Sequence, residues 1–169
     1  MEPEQPDARS EHAPRPDPDI GAQQSSDEPT DPWAEGAQRS FEDDSDQREH
    51  AYGLFQRGHV LMRARHHAQA AIVLERASRL EPRKGSILEA LGRAYYNSGQ
   101  HQRSAETFSE LLEVDPSSHY AHYALGQSLK QLGRPREART HLRLAVALSP
   151  ESKLYRGALE RLGPPPKTD

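Results

Sequence analysis

The chain contains no cysteine. That excludes disulfides and thiolate-bound metals, and it fits a reducing compartment. No apolar run approaches the roughly 18 residues a membrane-spanning helix needs, so no membrane insertion is expected. Aromatic residues make up only 6% of the 169. The motifs of covalent chemistry are missing too: there is no Gly-x-Ser-x-Gly elbow and no His-Glu-x-x-His pair. Gly85 has no companions with which to build a phosphate loop. The first residues are acidic and proline-rich instead of basic then apolar, so no secretory leader is expected. These absences predict a cytoplasmic protein that is not an enzyme and uses no cofactor.

Nine histidines are present. His66 and His67 fall in an expected turn. His119 and His122 lie three apart on one expected helix, a spacing that allows chelation. No Asp, Glu or Cys completes that pair, so no metal site is expected. His122 sits where packing calls for a large apolar side chain, and it is expected to be a core histidine with a hydrogen-bond partner. The acids Glu106, Glu110 and Glu113 read as a solvated helix face.

Charge divides the chain in two. Residues 1–47 hold 14 acids, 3 bases and 7 prolines, a net charge of −11. Their large apolar residues are few: Met1, Ile20, Trp33 and Phe41. Such a segment cannot bury enough surface to offset its ordering entropy. Residues 1–45 are therefore expected to be a disordered acidic arm. Residues 48–169 hold 19 bases and 12 acids, a net charge of +7.

The basic part repeats itself. One eight-point pattern starts at Leu54, Leu88 and His122, at a spacing of 34 residues, and closes on Pro82, Pro116 and Pro150. The first copy runs through Gly58, Leu61, Ala70, Leu74 and Ala77. The second runs through Leu91, Gly92, Tyr95, Ser104, Phe108 and Leu111. The third runs through Leu125, Gly126, Leu129, Ala138, Leu142 and Ala145. Apolar residues three or four apart line one helix face, and a fixed period of this length marks stacked helix pairs. Gly99 and Gly133 sit between the helices of their copies, where a left-handed residue ends a helix. The first copy has Arg65 there, which predicts a strained or differently built turn.

Together the copies resemble the tetratricopeptide repeat. Each matches seven of the eight positions, with Arg57, Leu111 and His122 departing. The resemblance implies an all-α solenoid of three repeats, about 51–84, 85–118 and 119–152, in a domain spanning 46–162. An amphipathic capping helix at 153–162 and a tail at 163–169 follow. Helices are expected near 46–64, 67–80, 85–98, 101–114, 119–132, 135–148 and 152–162. Asp46 and Glu49 suggest a capping box for the first.

The resemblance also implies a function. In this family the first helix of each pair lines a concave groove that receives partner proteins. Carried onto this chain, the groove residues are Tyr52, Phe55, His59 and Met62, then Ser86, Glu89, Arg93 and Tyr96, then Tyr120, Tyr123, Gln127 and Lys130. Seven of the twelve are aromatic, Met or His, and exposed aromatics anchor peptides because each offers a large rigid contact area. The positions matching the family's clamp for a chaperone's C-terminal carboxylate are Phe55, His59, Ala90, Tyr120 and Ala124, which do not supply its cations. The expected role is thus an adaptor or scaffold holding a partner peptide or helix. The acidic arm, with Trp33 and Phe41 as anchors, is expected to compete for the groove. One alternative is a nucleic-acid accessory protein using Arg134, Arg136, Arg139 and Arg143, although 12 interspersed acids make nucleic acid the weaker reading. Another is a non-catalytic subunit of an enzyme complex.

Overall fold

The computed structural model describes residues 32–163, with side chains from residue 45 onward. Among these residues every regular element is a helix: α1 (Pro32–Arg63), α2 (His67–Leu80), α3 (Gly85–Asn97), α4 (His101–Val114), α5 (His119–Gln131), α6 (Pro135–Leu148) and α7 (Lys153–Glu160). Each helix packs on the next in sequence, and the first helices of successive pairs, α1, α3 and α5, also touch. That nearest-neighbour pattern is a solenoid. No helix among the described residues is long and apolar enough to cross a membrane.

The helices follow the repeat, with one large exception. α1 begins at Pro32, well ahead of the expected start at 46. Proline suits the first turn of a helix, where its missing N–H has no partner to lose. The residues after it include the strong helix formers Ala34, Glu35, Ala37 and Gln38. Asp46 therefore lies inside α1 and forms no capping box with Glu49. The disorder expected for 1–31 and for the tail from 164 falls outside the described residues.

Packing turns on one contact made three times. A Cβ built on Gly58 would lie 2.6 Å from Leu74. On Gly92 it would meet Phe108 at 2.8 Å, and on Gly126 it would meet Leu142 at 2.8 Å. In each pair the second helix inserts a large side chain into the space left by a missing methyl. Leu74, Phe108 and Leu142 are all fully buried as a result. Behind them, Ser104 Oγ lies 3.0 Å from the Gly92 carbonyl and 2.9 Å from Ser128 Oγ, so these buried hydroxyls are satisfied across two repeats.

The turns inside the pairs are alike. Gly99 and Gly133 have φ of +80° and +71°, and Arg65 adopts +62°. In all three the amide of the residue that follows bonds back across the turn at 2.9 Å: His66 to Leu61, Gln100 to Tyr95 and Arg134 to Leu129. Arg65 is thus held in a glycine conformation by the same closing bonds. A side chain there costs about 1 kcal/mol.

His122 is buried, as expected of a core histidine. Its Nε2–H donates to the Pro116 carbonyl at 3.2 Å, and its Nδ1 lies 3.1 Å from Nδ1 of His141. With Nε2 carrying the proton, Nδ1 accepts from His141. The rings stack with centroids 5.4 Å apart. Burial first, and His122 second, lower the pKa of His141; Glu137 opposes them.

Two outcomes follow. Arg65→Gly should stabilise the fold by about 1 kcal/mol, read as a higher urea midpoint at an unchanged slope; an unmoved midpoint would show that the turn carries no penalty. The second concerns pH. Unfolded histidine titrates near pH 6.5, and folded His141 binds its proton less readily. The unfolded chain then holds more protons, so stability falls as pH drops below about 6.5 and levels off beneath the folded value. His141→Ala should flatten that part of the midpoint–pH profile, and an equally steep profile in the variant would refute the assignment.

Candidate functional site

The inner helices α1, α3 and α5 carry the groove, and side chains divide it. The larger cleft, about 400 Å³, is lined by Arg93, Tyr96, Asn97, Phe108, Tyr120, Tyr123, Ala124, Gln127 and Arg161. A second depression of about 380 Å³ lies toward α1 and is formed by Ala51, Tyr52, Phe55, Ser86 and Ile87, with Arg48, Glu81 and Lys84 at its rim.

The structure thus brings Arg93, Tyr96, Tyr120, Tyr123 and Gln127 into one cleft and puts Tyr52 and Phe55 in the other hollow. His59, Met62, Glu89 and Lys130 line neither. His59 stands edge-on to Phe55, ring centroids 4.4 Å apart. Met62 packs against the Leu74 and Leu91 cluster, its sulfur 3.5 Å from His67 Nδ1. Glu89 pairs with Arg93 at 3.8 Å. Lys130 is exposed on the last turn of α5.

The floor and walls of the cleft are a run of rings. Phe108 meets Tyr120 at 6.1 Å between centroids, Tyr120 meets Tyr123 at 6.2 Å, and Tyr123 meets Tyr155 of α7 at 5.0 Å. The Tyr155 hydroxyl lies 2.8 Å from His119 Nδ1, which pins α7 to the start of α5. His119 and His122 therefore serve different partners and do not converge. Burial pushes the Tyr120 phenol up to about 12, and burial likewise raises Tyr123 and Tyr155. All three stay neutral at physiological pH. Their rings offer apolar area, while the hydroxyl of a neutral phenol can both donate and accept.

Arg161, Asn97 and Phe108 were not among the expected groove residues. Arg161 was legible in principle: His59, Arg93 and Gln127 follow the 34-residue spacing, and one more step reaches Arg161. Gly157 leaves room for it, since a Cβ there would lie 3.1 Å from the Arg161 Nη1. The helix read as a cap thus lends a side chain to the cleft.

The basic face of α6 is less continuous than its spacing suggested. Arg139 is half-buried and donates to the Gly163 carbonyl. Arg134 makes a two-pronged pair with Glu137 at 2.7 and 2.6 Å. Arg136 and Arg143 remain exposed.

Comparison with known proteins agrees with this geometry. The family model for the tetratricopeptide repeat matches residues 55–113 and 89–153. The chain belongs to the tetratricopeptide repeat family. Superkiller complex protein 3 of Mus musculus is 30% identical over 112 residues, covering 66% of this chain but only 7% of that relative. Among solved structures, the Arabidopsis OM64 TPR domain superposes with a TM-score of 0.66 at 19% identity, covering 69% of this chain and 97% of that one. The first TPR of Spaghetti (RPAP3), bound to the HSP90 peptide SRMEEVD, gives 0.64 at 14% identity, covering 68% and 90%.

Proposed function

We propose that the chain is a protein-interaction module, an adaptor or scaffold that holds a peptide or helix of a partner protein in the concave groove. The observation that carries this reading is the cleft itself. Tyr96, Tyr120 and Tyr123 line an open space of about 400 Å³ on the inner face of the helices. Rigid aromatic walls with neutral hydroxyls suit an extended peptide, since they supply area at little entropic cost. The similar Spaghetti domain is itself bound to a peptide, which supports the same use of the fold here.

The mode of binding should differ from a chaperone carboxylate clamp. Phe55, His59, Ala90, Tyr120 and Ala124 occupy the matching positions, and they hold no lysine, arginine or asparagine. Affinity would come from the tyrosines, and register from Arg93 with its neighbour Glu89 and from Lys130. The acidic arm would compete with the partner. Tethering gives it a local concentration on the order of millimolar. The setting is a reducing, cytoplasmic one, in keeping with a cysteine-free chain. The nucleic-acid reading has less support, because Arg134 and Arg139 are engaged within the fold.

Affinity capture with the full chain tests this, repeated with Tyr96→Ala and Tyr123→Ala after thermal melting confirms that each variant folds. Groove partners should weaken by about tenfold or more in both variants, the loss expected of an aromatic hot spot. A captured set and strength that do not change would remove the groove from consideration.

A further inference from the structure

The larger cleft is electrostatically one-sided. Arg93 and Arg161 line it, and the carboxylate that acts on its phenols, Glu89, stands outside the lining. Arg161 makes no ion pair with another described residue. Arg93 has only Glu89, one helical turn away at 3.8 Å, and both side chains are about half exposed. Such a pair contributes little. The missing side chain at Gly157 lets the Arg161 guanidinium fold back along α7. The Arg93 charge acts on Tyr120 and the Arg161 charge on Tyr123, and those two rings stand 6.2 Å apart. A carboxylate placed there would meet two guanidinium groups and neutral phenol donors, the arrangement that makes charge-assisted hydrogen bonds.

We propose that Arg93 and Arg161 form a carboxylate-binding subsite at the C-terminal end of the groove, and that its resident occupant is the acidic segment 1–31 of the same chain. The inference rests on the groove reading above and narrows it. Residues 1–31 hold nine acids and two bases, which complement the cleft. Geometry selects this segment over the aromatics nearer the solenoid. α1 is unbroken from Pro32 to Arg63. At a rise of about 1.5 Å per residue it carries position 41 some 16 Å, and position 33 some 28 Å, along its axis from Tyr52. The α1 backbone thus holds positions 33 and 41 away from the cleft. Pro32, to which residues 1–31 are joined, lies about 30 Å along α1 from Tyr52. Thirty-one extended residues reach about 100 Å, so they span the return. The contact is one of charge and has little apolar anchoring, since Ile20 and Met1 are the large apolar residues available. It should therefore be weak, salt-sensitive and displaceable by a partner with better side chains for the tyrosines.

A cysteine-free chain makes the test direct. A spin label is attached at Ser10→Cys or Ser25→Cys in the full chain, and backbone amide signals are recorded at low salt. The amides of Tyr120, Tyr123 and Gln127 should lose most of their intensity, and those of α2 should not. The loss should disappear with Arg93→Gln plus Arg161→Gln, and in about 0.5 M salt, where the Debye length shrinks to a few ångströms. Undiminished cleft signals at low salt overturn the proposal, as does a loss that survives the double substitution. A mixture of labelled and isotope-enriched chains separates the two possible sources of the segment. Signal loss of full size in the mixed sample, where label and observed amides sit on different chains, assigns the occupant to a second copy and overturns the same-chain assignment. If the label leaves the cleft untouched while partner capture still depends on Tyr96 and Tyr123, this inference falls and the groove reading stands.

Discussion

The structure depends on one steric interlock. In each helix pair a glycine on the first helix faces a large side chain on the second: Gly58 with Leu74, Gly92 with Phe108, Gly126 with Leu142. The contact is closer than any side chain on the first helix would allow. It sets how near the two helices lie, and the 34-residue period repeats that spacing along the chain. Packing inside proteins is dense enough that one added methyl is felt. Three copies of the interlock therefore fix the pitch of the solenoid more firmly than hydrophobicity alone would.

That tight outer packing is what leaves the inner face free. The first helices bury one face against the second, with Leu88, Leu91, Leu125 and Leu129 in the core, and turn other positions toward the concavity. The tyrosines there are not simply leftover core. Tyr95, on the outward-packed face of α3, is buried, donates a 2.6 Å hydrogen bond to Glu75 and lies under the Arg103 guanidinium. Tyr96, one position on, is only half-buried and lines the cleft. Adjacent residues of one type thus take different roles, because a helix turns its neighbouring positions through a large angle.

Most of this was readable from the sequence, and the exceptions share a cause. The helices after the first fall within a residue or two of their expected limits because the apolar period is backed by proline or glycine at most boundaries, Arg65 before α2 being the exception. The first helix was misjudged because composition outweighed local propensity. Acids and prolines dominate 1–47 as a whole, which hid the run of helix formers behind Pro32. Met62 was placed on the groove by its spacing, yet it turns into the core and toward His67. Spacing fixes which face a position occupies, but not whether a flexible side chain stays there. Arg139 was assigned to a solvated basic stripe, and its pairing with the Gly163 carbonyl depends on where the chain goes after α7. No local pattern encodes that contact.

The last helix shows how much a repeat can conceal. Read alone, α7 is an eight-residue amphipathic cap whose Tyr155 and Ala158 are buried. Read in register, it stands where the first helix of a fourth repeat would stand. The interlock cannot form, since Glu160 stands where Gly58, Gly92 and Gly126 stand in the full copies. α7 packs on α6 with Ala158 buried, and Tyr155 also ties it to α5 by bonding His119 and setting its ring 5.0 Å from that of Tyr123. The contacts of Tyr155 with His119 and Tyr123 bring one side of α7 to the edge of the cleft. The position that carries His59, Arg93 and Gln127 in the complete repeats then carries Arg161 into the cleft. The helix that follows the third repeat thus also completes the inner wall of the cleft.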